Sequence, residues 1–316
     1  MKQLRDKTII ENEITAPKKR RPMLFIFIVL VFFVIYKFSL LNYFGFVTYS
    51  DAKNIIKDFE KNYLYSEVFL NKEYIELKNN ILKPPFTSKQ KIDTLIKLSE
   101  KLSGDNYTNF SYADLVQGKL NYSLYKKFEM QSKKIDENTG YIKLSSFGEN
   151  AEKKFFKALE KMEGMEYLIL DLRGNHLGYY TEAIEIADDL LPGDLEIASV
   201  EFSNSKHYYS SNDFYYGFKK IFLLLDEESA CNTEMFALAL KENMGDKVEL
   251  IGKKTKGIDI GQVYKIYYNK INFSISAYKW NVKGKTSESL ASYLSKYNNI
   301  ALSSLDDYIK AAASMK

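Results

Sequence analysis

The chain has 316 residues, with 45 Lys and Arg against 41 Asp and Glu, for a formal net charge of +4. The lysines are spread among acids, which excludes the basic footprint of a nucleic-acid binder. One cysteine, Cys231, excludes an intramolecular disulfide, and two histidines with one cysteine make no metal-ligand spacing.

The first element is apolar. Met23–Tyr36 carries no charge, and Phe38–Val47 extends it past Lys37. Crossing a hydrocarbon core takes about 20 residues, and the Lys37 stem can snorkel to the interface. Lys18, Lys19, Arg20 and Arg21 precede the run, whereas the charges after it, from Asp51 to Lys61, nearly cancel. The positive-inside rule then puts 1–22 in the cytoplasm, a single span over 23–47 in the cell membrane, and the body outside. A cleaved signal peptide is the rival. The run is long for one and no small-x-small site follows it, so an uncleaved anchor is expected.

Residues 48–137 read mainly as helices. Asp51–Tyr63 places Ala52, Ile55, Ile56, Phe59 and Tyr63 on one face. Glu73–Leu82 and Lys91–Leu102 follow, broken by Pro84-Pro85 and by Gly104-Asp105-Asn106. The expectation is a small helical cap or spacer.

From 138 to 316 the texture changes. Strands are expected at Gly140–Leu144, Tyr167–Asp171, Lys220–Leu225, Val248–Ile251, Val263–Tyr268 and Ile271–Tyr278. Helices are expected at Ala151–Met162, Thr181–Leu191 and Glu234–Asn243. This alternation predicts an α/β core with largely parallel pairing. Sites in such cores gather where loops leave the carboxyl ends of strands. Two loops qualify, Arg173–Gly178 and Glu228–Thr233.

Cys231 lies after a buried strand and before a helix. A helix N-terminus offers free N–H groups and partial positive charge, which favour a thiolate. The alternative is a small residue in a tight turn. His176, in the other loop, is either a general base or a surface residue, and the case for His207 is weaker. No phosphate-binding glycine loop or dinucleotide fingerprint occurs, so no cofactor is expected.

Four blocks stand in order: Gly140-Tyr-Ile-Lys-Leu-Ser-Ser-Phe, Leu168-Ile-Leu-Asp-Leu-Arg-Gly-Asn, Glu228-Ser-Ala-Cys-Asn-Thr-Glu-Met-Phe-Ala and Gly252-Lys-Lys-Thr-Lys-Gly. The series resembles the C-terminal processing (tail-specific) peptidases. Their marks are a GYI-x-L-x-x-F strand, an LDLRNNPGG loop, a GSASASE nucleophile turn and a GExTFGKGxVQ segment. The resemblance covers about Asn138 to Gly284. It implies a crotonase/ClpP-like mixed sheet-helix core, preceded here by the helical segment and the transmembrane helix.

In that family a serine attacks the peptide carbonyl, a lysine is its base and a glutamine positions the lysine. Carried over by position, the nucleophile is Cys231, the glutamine is Gln262 and the lysine falls on Ile258, which cannot take a proton. Lys254 and Lys256 lie close by. In the oxyanion loop His176 replaces the proline and Leu177 the first of two glycines, while Gly178 is kept.

The resemblance thus implies a membrane-anchored peptidase acting on polypeptides outside the membrane. Cys231 would attack, Gly178, Leu177 and Asn232 would frame the oxyanion, and His176 or Lys256 would move protons, with Gln262 orienting a partner. The alternatives are an inactive relative that binds a peptide or partner protein, and a plain assembly module. The family often inserts a PDZ module before the core, and Tyr122–Asn138 leaves no room for one.

Overall fold

The computed structural model describes residues 21–43, 45–111, 123, 126–267, 271–295 and 302–316. Helix α1 runs Arg21–Tyr43. Its apolar side chains from Leu24 to Tyr36 are all exposed, between 40% and 68%. Among the described residues no helix is long and apolar enough to cross a membrane; within α1 the described side chains are those of 24–37 and Leu40. The run expected to extend to Val47 stops earlier. Phe46–Thr48 forms strand β1, which pairs antiparallel with β2 (Phe86–Ser88), and Val47 is buried.

Helix α2 (Tyr49–Asn62) starts where the Thr48 hydroxyl accepts the Asp51 N–H at 3.1 Å. Its buried face is Ala52, Ile55, Ile56 and Phe59, at helical spacing. Helices α3 (Lys72–Ile81) and α4 (Lys89–Ser103) complete the group, and α4 ends on Gly104 in the left-handed conformation. This region is not a detached spacer. Ile271, Phe273 and Ile275 of the body pack into its core, and its strand β3 (Asn109–Ser111) pairs with the body. Strand β4 (Met130–Asp136) forms a hairpin with β5 (Thr139–Leu144), so a boundary at 137 cuts a paired unit. The helical reading of 112–122 lies outside the described residues.

The first large sheet has the order β10-β9-β6-β5-β4. Strands β5, β6 (Tyr167–Asp171), β9 (Lys220–Leu225) and β10 (Val248–Gly252) run parallel. Strand alternation splits its apolar residues between two layers. Leu168, Leu170, Ile221 and Leu223 face α5 (Ala151–Glu160), α6 (Tyr180–Asp188) and α7 (Asn232–Met244). Ile169, Phe222 and Leu224 face the C-terminal segment with Tyr308 and Ala312.

The second sheet is antiparallel, which limits the expected parallel pairing to the first. Its order is β11 (Ile260–Ile266), β12 (Asn272–Asn281), β7 (Glu196–Phe202) and β8 (Ser205–Ser210), with β3 also on β12. The β7–β8 hairpin was not expected. Its second strand is almost wholly exposed and polar, and lacks the apolar alternation that marks a strand. Helices α8 (Glu288–Leu294) and α9 (Leu305–Ala313) close the chain.

Candidate active site

The two loops expected to carry chemistry lie side by side at the carboxyl ends of β6 and β9. Asp226, just after β9, accepts the N–H groups of Gly174 at 2.9 Å and Ser229 at 3.0 Å. The buried Ser229 hydroxyl donates to the Leu172 carbonyl at 3.0 Å. Asn175 O accepts both the Ala230 N–H at 3.1 Å and the Thr233 hydroxyl at 2.9 Å. These bonds leave the turn between β9 and α7 little freedom.

Cys231 sits at the head of α7 with φ 53 and ψ −108. A non-glycine residue there costs of order 1–3 kcal/mol and persists only where its surroundings fix it. This strand–turn–helix placement presents a side chain into the adjacent cleft. The cleft has a volume of about 220 Å³, and His176, Leu177, Gly178, Asn232, Lys256 and Gln262 line it with Cys231. Every catalytic and oxyanion residue expected from sequence is therefore on one wall or another of a single cavity.

Gly178 has φ 110, and a Cβ there would meet the Phe147 carbonyl at 2.1 Å, so only glycine fits. Its flanking groups bond to Phe147: Leu177 O accepts the Phe147 N–H at 3.0 Å, and the Tyr179 N–H reaches Phe147 O at 2.7 Å. Gly178 itself faces the other way, where its carbonyl accepts the Asn232 amide at 3.0 Å. Its N–H is bonded to no described residue. Leu177 adopts no positive φ, so leucine in the family's glycine place leaves the loop path intact.

The half-buried sulfur of Cys231 has Ile260 O at 3.5 Å and Asn232 Oδ1 at 3.6 Å within reach of its proton. Neither His176 nor Lys256 bonds to it. The expected acidification by the helix end is overturned. Burial, and then the Glu234 carboxylate, push the thiol up to about 12, against the pull of the Asn232 N–H and the Trp280 indole N–H. Glu234 is fully buried at the helix end and accepts the N–H groups of Cys231 at 2.8 Å, Gly257 at 2.7 Å and Ile258 at 2.9 Å. Of these donors only the Cys231 N–H lies at the helix end, and the carboxylate there offsets the positive charge that a thiolate would need. The Trp280 N–H is buried beside the sulfur but makes no hydrogen bond of good geometry.

The remaining residues hold other partners. The exposed Lys256 ammonium pairs with Glu228 Oε2 at 2.7 Å. Gln262 donates its side-chain N–H to the Tyr107 carbonyl, 155 residues away in sequence, and not toward Lys256 or His176. His176 is exposed, and its Nδ1 lies 2.8 Å from Gly174 O. A carbonyl only accepts, so Nδ1 is the donor in this bond and Nε2 is the ring nitrogen left for other contacts. Ile258 lines the cleft in place of the family lysine.

His207 lies apart, on β8. Among the described residues no group of three or more His, Cys, Asp or Glu could hold a metal ion. Four residues of the site received no role from the sequence: Tyr107, Tyr278, whose hydroxyl donates to Asn232 Oδ1 at 3.2 Å, Trp280 and Glu234. Only Glu234 had a local signal, an acid three residues into a helix whose side chain closes a capping box.

Residues 138–289 match the model of peptidase family S41. The chain is 31% identical over 148 residues to the carboxy-terminal processing protease CtpA of Bacillus subtilis (strain 168), covering 46% of this chain and 31% of that protein. It is 30% identical over 131 residues to a carboxyl-terminal-processing protease of Synechocystis, covering 41% and 30%. The chain thus spans under a third of the length of these relatives. Among solved structures, a lipoprotein from Streptococcus agalactiae superposes with a TM-score of 0.54 at 15% identity, over 74% of this chain and 86% of that one, a likeness of fold. The ordered motifs, the strand-end cleft they build and the matching family model agree: residues 138–289 carry a match to peptidase family S41 and are similar to the C-terminal processing proteases.

Proposed function

We propose that this chain is a tail-specific type peptidase that hydrolyses polypeptides with Cys231 as nucleophile. The observation that carries the reading is the conformation of Cys231, φ 53 and ψ −108, held beside Gly178 in one cleft. Backbone strain of that kind at a strand-to-helix turn is kept where a side chain must be presented. In the proposed step the sulfur bonds to the scissile carbonyl carbon as the thiol proton passes to His176 Nε2. The Gly178 N–H holds the oxyanion. Collapse breaks the C–N bond and the imidazolium proton goes to the leaving amine. Water then hydrolyses the thioester, releasing the acid and restoring the thiol.

The proposal places the body on the outer face of a cell membrane, tethered through α1. Support comes from the unbroken exposed apolar run Leu24–Tyr36 and the basic cluster Lys18–Arg21 before it. Residues 48–137 act as a cap whose core is completed by β12. With no room for a PDZ module between Tyr122 and Asn138, confinement at the membrane takes over part of substrate selection.

One observation favours a second reading, a peptide-binding relative without turnover. The thiol is pushed up to about 12, Lys256 is paired with Glu228, and Ile258 stands where the lysine would be. The test separates the two. The full-length chain is treated with a peptide-like electrophile and, separately, with an unfolded polypeptide, using Cys231→Ala as control. The peptidase reading expects labelling faster than that of an unfolded thiol and cleavage that disappears in Cys231→Ala. Slow labelling, or cleavage that persists in the variant, sinks it.

A further inference from the structure

A second concavity opens from the cleft. Its volume is about 390 Å³, and it shares Tyr107 and Gln262 with the cleft around Cys231. The pairing registers explain its chemistry. On β12, Phe273 and its flanking isoleucines Ile271 and Ile275 face the helical core. Side chains alternate along a strand, so Asn272 and Ser274 face the opposite way. Across the ladders, Ser111 and Asn109 of β3 stand opposite Asn272 and Ser274, and Tyr264 of β11 stands opposite Ser274. Gln262 is two positions from Tyr264 and shares its face. Three strands therefore present a face of hydroxyls and carboxamides, bounded by Ile266 opposite Asn272 on β11, and no charged residue lines the concavity.

Asn272 is the telling residue. It is 1% exposed, and neither its amide nitrogen nor its amide oxygen has a hydrogen-bond partner. A buried carboxamide left in that state has given up its water without gaining a partner, so it favours a ligand that supplies one. An extended polypeptide offers both a donor and an acceptor, and so does a carboxamide or hydroxyl side chain. Ile260, whose carbonyl faces the Cys231 sulfur, is four strand positions from Tyr264. At about 3.4 Å per residue that is on the order of 13 Å, or about four residues of extended chain.

We infer that this face is a polar subsite that takes an uncharged, amide- and hydroxyl-rich stretch of the substrate polypeptide about four residues from the bond held at Cys231. The inference rests on the peptidase reading of the cleft for its orientation. An apolar stretch would leave the Asn272 amide unpaired, and a charged stretch would meet no counter-charge among the residues that line the concavity.

The test measures binding without turnover. Cys231→Ala in the full-length chain is titrated with fluorescent twelve-residue peptides. They share one half and differ in the other, a Gln/Ser, Lys, Glu or Leu tract. The Gln/Ser peptide is expected to bind about fivefold tighter than the others, the scale of one well-made hydrogen bond. Adding Asn272→Ala should reduce that preference to under about twofold. Asn109→Ala, an exposed position that leaves the core untouched, should weaken it in the same direction. Equal binding of all four peptides, no binding, or a preference that survives both substitutions overturns the inference. Electrophile labelling of Cys231 in the unmodified chain reports the peptidase reading separately. Labelling with no tract preference removes only the subsite, and a tract preference without labelling removes only the nucleophile.

Discussion

Glu234 Oε2 accepts the backbone N–H of Cys231 at 2.8 Å, which puts a buried carboxylate at the helix end directly beneath the thiol. The Cys231 N–H thus serves glutamate, while the Asn232 N–H still pulls on the sulfur. Simple alkylation should report this. With the thiol pushed up to about 12 from 9.0, iodoacetamide labelling of Cys231 should keep rising through pH 10 with no plateau. A plateau below pH 9 contradicts it. The same group should also affect stability. The unfolded thiol ionises near 9.0 while the folded one keeps its proton, so its contribution is full below pH 9 and is lost as pH rises toward 12.

Glu234→Gln tests the cause. Removing the adjacent charge should speed iodoacetamide labelling at pH 8 by about tenfold, one pKa unit. It should also destabilise the chain by roughly 1–3 kcal/mol, because three backbone N–H groups lose a charged acceptor. Labelling rates and urea midpoints are the readouts. Unchanged labelling in a folded variant would assign the thiol's resistance to burial alone.

Gly178→Ala should be far worse than an ordinary loop substitution. The new Cβ would lie 2.1 Å from the Phe147 carbonyl at φ 110, so the strap Phe147–Gly178–Tyr179 must move. The expected loss is more than about 2 kcal/mol in urea denaturation, with labelling by the peptide-like electrophile lost as well. Leu177→Gly, one residue away with no positive φ to relieve, should change stability by under about 1 kcal/mol. Equal effects at both positions would refute the geometric argument.

The contrast between these two residues shows what was legible in the sequence. Strands β5, β6 and β9 could be read because short apolar runs end in glycine or polar turns, and the motif order then put Cys231, His176, Gly178 and Gln262 in one cleft. The thiol's state could not be read. It depends on burial and on which acceptor wins the helix donors, and the same placement supports either outcome. The place of Tyr107 beside the cleft could not be read because its contact with Gln262 spans 155 residues. Trp280 and Tyr278 reach the site only through the antiparallel pairing of β12, which the alternation of strands and helices did not foretell.

Asp171 and Arg173 form an ion pair at the start of the loop after β6. Arg173 donates Nε at 2.8 Å and Nη2 at 2.7 Å to the two carboxylate oxygens, and the Tyr141 hydroxyl donates at 2.8 Å. The guanidinium also lies 4.4 Å from the Tyr308 ring centroid, which docks α9 on the sheet. Burial would raise the Asp171 carboxyl, but the bonds from Arg173 and Tyr141 hold it below 3.8. A depressed carboxyl stabilises above its unfolded pKa, and the contribution is lost as pH falls through the folded value. Asp171→Ala leaves a partly buried cation unpaired and should cost about 3–5 kcal/mol. Arg173→Lys should cost less but still loosen α9, seen as faster amide exchange over Leu305–Ala313. Slow exchange there in Arg173→Lys would show that α9 does not depend on the stacked guanidinium.

Asp189 shows the opposite sign. Burial first, then Glu152, Asp188 and Glu185, push its carboxyl up from 3.8 to about 7, and its Oδ2 is buried without a partner. Unfolded Asp189 releases its proton near pH 3.8, whereas the folded carboxyl keeps it until about 7. Above pH 3.8 the unfolded state is therefore favoured increasingly, and this group's destabilisation grows up to about pH 7 and then levels. Asp189→Asn removes the charge while keeping the shape. It should raise the thermal midpoint at pH 8 by a few degrees, the scale of about 1 kcal/mol in a chain of this size, and leave the midpoint at pH 4 almost unchanged. Scanning calorimetry of the two proteins from pH 4 to pH 8 gives the comparison. If the two midpoints stay parallel across that range, Asp189 does not titrate there and its buried oxygen is satisfied in solution.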